Sequence, residues 1–379
     1  MEKQYIAVTG YYSTGSSAVI DLLKEYDNVA IASPTEREYE HMAFYTRGGL
    51  FELLSIITGP FFSNYNADIA ISSFLDASTR LNENDFQWFG SYQKYYGDIY
   101  KRITDDFVAE ISRTKERKSA AYIETTRFSV LKALFQIVAS IIYRRPIVSF
   151  GQKYVYKKAN NAFYYIPDYE NLINASKKYV KRYLEMCSYD KEVNVFDHLV
   201  LPQQAKEALV VFPQNVKVII VQRDPRDVFL LNKYYWHKPP VSRAKPYYPT
   251  DPDLFIEEWK HTIIGRTNSS QILSIMYEDL IYKYDDTIQL IESFLGLKHS
   301  SHSKKKVYFN SDQSIENTQV FECSKEWKNE ISNFSTALSS YTYGFPYKRV
   351  PNKKLWFDSS LQLDVVHNKT KKQKNSTIK

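Results

Sequence analysis

Residues 5–26 read "YIAVTGYYSTGSSAVIDLLKEY". A short apolar run, "YIAV", leads into a turn with two glycines. Ala18, Val19, Leu22, Leu23 and Tyr26 then recur at the spacing that lines one face of a helix. Strand, glycine loop and amphipathic helix in this order predict the opening unit of an α/β protein. In such a unit the loop N–H groups and the helix N-terminus face a common point, a natural seat for an anion. Residues 10–17, "GYYSTGSS", have the outline Gly-x-x-x-x-Gly-x-Ser of a phosphate-binding loop, with Ser16 where nucleotide kinases and hydrolases carry lysine. Ser13, Thr14, Ser16 and Ser17 have hydroxyls that can donate to phosphate oxygens. Without the lysine, γ-phosphoryl transfer lacks a main source of charge neutralisation. The same residues also fit a plain tight turn with Ser16 or Ser17 capping the helix.

Working outward, short β-branched runs recur at "NVAIA" (28–32), "VNVF" (193–196), "VKVIIVQ" (216–222) and "ILSIMY" (272–277). Helical patterns separate several of them, and "DDTIQLIESFLGL" (285–297) closes at Gly296. The alternation predicts an α/β layered fold with a central parallel sheet. Residues 60–190 break the rhythm and read as an aromatic-rich, mainly helical insertion or cap. Within them, "SVLKALFQIVASIIY" (129–143) is expected to be a buried helix. Lys132 and Gln136 interrupt it, and it is too short to span a bilayer. Pro239, Pro240, Pro246, Pro249 and Pro252 mark a second irregular segment. Residues 346–379 form a basic extension whose end, "NKTKKQKNSTIK" (368–379), has no apolar period and is expected to be disordered.

Composition narrows the classes. The 379 residues are 44% hydrophobic and 25% charged, ordinary for a globular protein, with a net charge of +7. Cys187 and Cys323 are too few and too far apart for a disulfide framework or a metal site. No secretory signal precedes the first strand, so a cytoplasmic location is expected. The basic charge accompanies no nucleic-acid-binding module, so nucleic acid is not an expected partner. The basic tail leaves peripheral contact with an anionic membrane open. The 32 tyrosines suit polar ligands such as sugars, and equally suit core packing.

"VKVIIVQRDPRDVFLLNKYYW" (216–236) is a buried strand followed at once by Arg223. Asp224 suits a helix N-cap, Pro225 the first helical position and Asp227 the first turn. Arg223 therefore falls at the carboxyl end of a parallel strand, where α/β proteins bind ligands. It suits gripping a phosphate there, or an ion pair with Asp227.

Together these motifs resemble the sulfotransferases that use 3′-phosphoadenosine 5′-phosphosulfate (PAPS). Ser13-Thr14-Gly15-Ser16-Ser17 is similar to that family's 5′-phosphosulfate loop, Lys/Arg-x-Gly-Thr/Ser-Thr/Ser. Arg223-Asp224-Pro225-Arg226-Asp227 is similar to its 3′-phosphate motif, Arg-x-Pro-x-Asp. "YEDL" (277–280) and "FLG" (294–296) match a third signature, and "VYFNSDQSIENTQ" (307–319) and "LSSYTYGFPY" (338–347) resemble its closing segments. The resemblance covers most of residues 1–345 apart from the insertion. It implies a P-loop-like three-layer α/β sandwich and sulfuryl transfer from PAPS without a metal.

Two positions depart from the family pattern. The loop's basic residue, which steadies the leaving oxygen, is Ser13 here; Arg37, Arg47 and Arg127 are candidate substitutes. The serine expected eight residues after Arg223 is Leu231, with Asn232 beside it as the replacement donor. For the general base, the resemblance points to the loop after the second strand, "SPTEREYEHM" (33–42), with Glu36 first, Glu38 second and His41 third. Asp197 and His198 are further candidates to face the acceptor. His299 and His302 read as a surface loop rather than a metal pair, and Lys304–Lys306 as an anion-binding run. The expected activity is sulfation of a hydroxyl or amine of a carbohydrate such as a surface polysaccharide or glycolipid. A non-catalytic nucleotide- or glycan-binding descendant and a P-loop kinase are the alternatives.

Overall fold

The computed structural model describes residues 3–35, 39–84, 88–117, 124–127, 134, 137, 138, 141, 154–157, 163–236, 249–263, 265 and 267–352. The chain divides into two compact units. The first comprises Met1–Met42, Phe86–Phe89 and Leu184–Lys379, and the second Ala43–Asp85 and Gly90–Tyr183.

Nine strands are described: β1 (Gln4–Gly10), β2 (Val29–Ile31), β3 (Ser112–Arg117), β4 (Glu124–Arg127), β5 (Tyr154–Lys157), β6 (Phe163–Pro167), β7 (Val193–Asp197), β8 (Val216–Gln222) and β9 (Ile272–Met276). The first unit is built on a five-stranded sheet in the order β2-β7-β1-β8-β9. Every pairing in it is parallel. All five runs that sequence patterning picked out as strands are in this sheet, and helices cover both of its sides. β7 is buried along its whole length and β8 almost so, as expected of inner strands sandwiched between helical layers.

Helix α1 (Ser16–Leu23) packs Val19, Leu22 and Leu23 against Ile6, Val8, Val195, Ile219 and Val221 of the sheet. Ile288, Ile291 and Leu295 of the helix Tyr284–Leu295 join the same core. That helix stops at Gly296, which adopts a left-handed φ of 73°, the conformation glycine takes at least cost. Pro252 opens the helix Pro252–Thr262 with Asp251 as its N-cap, so the last of the clustered prolines starts a helix rather than continuing a loop. Residues 237–248 of that segment lie outside the described residues.

The second unit has a core of aromatic rings. Phe74, Phe107 and Tyr179 pack together, and the Tyr92 and Tyr183 hydroxyls hydrogen-bond at 2.8 Å. Tyr92, Tyr100, Tyr179 and Tyr183 are fully buried, so core packing accounts for these tyrosines. Helices Asn64–Glu83 and Ile99–Glu110 supply much of this core, but two antiparallel pairs, β3 with β6 and β4 with β5, accompany them. The expected buried helix at 129–143 is corrected in one respect. Its described residues Leu134, Ile137, Val138 and Ile141 are helical but exposed. The tail from residue 353 lies outside the described residues.

Candidate active site

The site lies along the carboxyl edge of the parallel sheet, starting where β1 ends at Gly10. The chain turns through residues 11–15 and enters α1. Ser13 (φ 64°) and Gly15 (φ 89°) both adopt left-handed conformations. Gly15 is required twice. Its φ disfavours any side chain, and a Cβ there would lie 2.5 Å from the Tyr277 ring. Thr14 ties the loop to itself, with its backbone N–H and its hydroxyl both donating to the Tyr11 carbonyl, at 3.0 and 2.6 Å. That hydroxyl proton serves loop closure instead of a phosphate. Gly15 itself occupies the N-cap position of α1, and no side chain caps the helix. Ser16 and Ser17 therefore sit in the first turn, and neither is the cap. The uncapped first turn presents N–H groups at the positive end of the helix dipole.

Three of the expected site residues meet. The Ser13 hydroxyl donates to Asn232 Oδ1 at 3.1 Å, and Arg223 Nη1 donates to the Ser13 carbonyl at 3.0 Å. Arg223 leaves the end of β8 with its guanidinium 4.7 Å from the centre of the Tyr277 ring, and Nη2 donates to the Asn317 carbonyl. Its Nε is buried without a partner. Tyr277 is thus clasped between motifs, since one ring contacts both Gly15 and Arg223.

The residues after Arg223 support it from below. Asp224 caps the helix Pro225–Leu231 by accepting from Arg226 N, and it also accepts from Arg226 Nε and Nη2 and from Tyr343 N. Its own N–H donates to Glu278 Oε1 at 2.9 Å. Burial, then the Asp224 charge, push Glu278 up to about 8 against the opposing pull of Arg223. Asp227 accepts from Gln319 N and Val320 N, at 2.8 and 2.7 Å, so its hydrogen bonds anchor the 319–320 backbone. Burial raises Asp227 to about 7, with Arg223 opposing.

On the other side of β1, β7 ends at Asp197, paired in register with Val8. His198 follows with a left-handed φ of 49°, and its N–H donates to the Val8 carbonyl at 2.9 Å. Its Nδ1 lies 2.6 Å from Asp197 Oδ1, and 21% of the His198 side chain remains exposed. Burial alone would lower the imidazole. The hydrogen bond and charge of Asp197, the charge of Glu40 and the Gly10 carbonyl together outweigh it and raise His198 to about 9. Glu40 arrives by a parallel bridge to Asp197, extending the line of β2 along the sheet edge.

His41 does a different job. Its N–H donates to the Asp197 carbonyl at 2.9 Å, and its Nε2–H donates to the Ala32 carbonyl at 2.5 Å. The ring is fully enclosed beside Phe196 and Tyr39, and burial lowers it to about 4. It staples the 39–41 segment to the sheet and presents no nitrogen to solvent, a placement that does not suit a base.

The model of the sulfotransferase domain family matches residues 6–340. The chain belongs to this family. Among solved structures it is similar to the sulfotransferase domain from the curacin biosynthetic pathway, with 10% identity, 91% of this chain and 99% of that one covered, and a TM-score of 0.31. It is also similar to sulfotransferase STF9 from Mycobacterium avium, with 10% identity, 93% and 79% covered, and a TM-score of 0.34. No curated protein matched.

This sulfotransferase is therefore a transferase of sulfuryl groups, and its remaining expected residues can be placed. Glu36, Arg37 and Glu38 lie outside the described residues, as does the side chain of Arg127. Arg47 belongs to the second unit. Among the described residues, Arg223, expected at the 3′-phosphate, is bonded to the carbonyl of loop position 13. His302 is not on a surface loop. It is buried, stacked on Tyr26 and bonded to Glu25, whose carboxylate also gathers the N–H groups of Lys306, Tyr308 and Phe309. Glu40 and Tyr277 are the site residues that sequence reasoning did not single out, and Tyr277 was visible only as the first letter of "YEDL". Among the described residues no helix is long and apolar enough to cross a membrane.

Proposed function

We propose that this sulfotransferase transfers a sulfuryl group from PAPS to a hydroxyl of a carbohydrate acceptor, such as a surface polysaccharide or a glycolipid, with His198 as general base. The observation that carries this is the Asp197–His198 pair at the end of β7, one strand from the loop that follows β1.

The chain's own groups suit the donor. The uncapped first turn of α1 and the Ser16 and Ser17 hydroxyls would hold the 5′ end, and Arg223 and Asn232 the 3′-phosphate. The buried, unpartnered Arg223 Nε is a donor that a bound anion would complete. When bound, PAPS supplies the activated sulfuryl group. Arg223, held against the Ser13 carbonyl, brings a fixed cation to the loop position that lacks its own.

On the acceptor side, Asp197 keeps a proton on His198 Nδ1, so the neutral ring carries its basic nitrogen at Nε2, where an acceptor hydroxyl would replace the Gly10 carbonyl as its partner. His198 would take the hydroxyl proton as the acceptor oxygen bonds to sulfur and the sulfur–oxygen bond to the departing 3′-phosphoadenosine 5′-phosphate breaks, and the imidazolium so formed would be stabilised by Asp197 and Glu40. Ser13 in the place of the family's basic residue favours one other reading, a nucleotide-binding protein without turnover.

Calorimetric titration with 3′-phosphoadenosine 5′-phosphate (PAP), alongside ATP with magnesium, tests the donor site. Transfer of radiolabel from PAPS to a glycan panel, by wild type and His198→Asn, tests the chemistry. Preference for PAP with transfer lost in the variant supports the proposal. PAP binding without transfer supports the non-catalytic reading, and ATP preference refutes both.

A further inference from the structure

The ends of β1, β8 and β9 carry Ser13, Arg223 and Tyr277, so the donor half of the edge lies on that side. The ends of β7 and β2 lie on the other side of β1, and there the chain lays down one more layer. The Glu40 N–H points away from Asp197 and donates to the Trp88 carbonyl at 2.8 Å, while the next N–H, of His41, points back to Asp197. Trp88 is therefore two backbone spacings from Asp197, about 10 Å at the usual separation of paired strands. The residue is 44% exposed, with its ring edge-on to Phe89 at 5.5 Å.

We infer that Trp88 is the platform on which an acceptor sugar ring stacks, one or two units along the chain from the hydroxyl that reacts at His198. This rests on the proposed carbohydrate acceptor. An indole face packs well against the C–H face of a pyranose, and its low entropy of immobilisation favours a fixed register. The surroundings select the ligand. The carboxylates of Glu40 and Asp197 repel phosphates, so this end of the edge suits a neutral polyol and opposes a second nucleotide. The two backbone spacings between Asp197 and Trp88, about 10 Å, are a reach that a disaccharide covers. Trp88 would set which unit of a glycan is sulfated without touching the reacting atoms.

The test uses the full chain, radiolabelled PAPS and neutral hexasaccharides (maltohexaose, cellohexaose and chitohexaose), with 2-naphthol as a small acceptor too short to reach from His198 to Trp88. Trp88→Ala should raise KM for the accepted hexasaccharide at least tenfold while kcat stays within threefold. PAP affinity and 2-naphthol transfer should not change, and Trp88→Phe should recover most of the loss. An unchanged hexasaccharide KM in Trp88→Ala overturns the platform and leaves the carbohydrate reading standing. Transfer by wild type to 2-naphthol but to no hexasaccharide overturns both. A parallel fall in PAP affinity and 2-naphthol transfer would mean Trp88 is only structural.

Discussion

Asp197→Asn isolates the charge that sets the proposed base. The gap between the usual 6.5 of histidine and about 9 corresponds to roughly 3 kcal/mol favouring imidazolium. Burial opposes that gap, so the carboxylates supply more than the net. With Asp197 neutral, burial dominates and His198 should titrate below 6.5. The wild-type kcat/KM should climb with pH to a plateau above about 9, because only on the order of one ring in a hundred is neutral at pH 7. In Asp197→Asn the midpoint should move down by two or more pH units, and the plateau should fall as the base weakens. The His198 ring proton followed by NMR in the free protein reports the same midpoint without turnover. Stability shifts with it. The raised imidazole contributes fully below about 6.5 and loses its contribution as pH rises through about 9, so the variant should lack that alkaline decline. An unchanged NMR midpoint would refute the electrostatic account, and an unchanged rate profile with a shifted midpoint would remove His198 from the chemistry.

Gly15→Ala should cost about 2–5 kcal/mol, from its positive φ and the collision with Tyr277, and should abolish PAP binding; a melting temperature within about 2 °C of wild type would contradict this. Arg223→Ala should weaken PAP far more than adenosine 5′-phosphate, and calorimetry showing equal losses would take the 3′-phosphate away from Arg223. Glu278→Gln keeps the acceptor for Asp224 N and removes a buried acid raised to about 8. Wild-type stability should fall as pH rises from about 4.5 through about 8, and denaturant titrations of the variant should show that window flattened. Glu36→Gln and Glu38→Gln should keep the alkaline rise in rate, and loss of that rise in either would move the base to that residue.

What was legible in the sequence had local causes. Five β-branched runs became the sheet, Asp224 and Pro225 began a helix, and Gly296 ended one. What was not legible depended on long-range pairing. Spacing along the loop after β2 favoured Glu36, Glu38 and His41, but the parallel bridge from Glu40 to Asp197 carries that loop to the end of β7. There His41 turns inward against Ala32, and His198, placed by a left-handed backbone, turns towards solvent. The strand Ser112–Arg117, "SRTKER", escaped notice because it has no apolar alternation for a pattern to find. The partners of Arg223 were hidden for a similar reason, since both are backbone carbonyls, which no residue type announces.

The clasp on Tyr277 also sets a timetable for synthesis. The loop at residues 10–17 leaves a ribosome long before the ring beneath Gly15 and the carbonyl that holds Arg223, which belong to residues 277 and 317. Asn317 follows Ser17 by 300 residues, on the order of 15–60 s at about 5–20 residues per second. Strands β7 and β8 precede residues 277 and 317 and can pair with the first strand earlier, but until Tyr277 and Asn317 follow, the glycine loop lacks the contacts that fix its shape. A nascent or prematurely terminated chain therefore carries the loop without a nucleotide site, and competence arrives late, when the closing segment settles against the sheet.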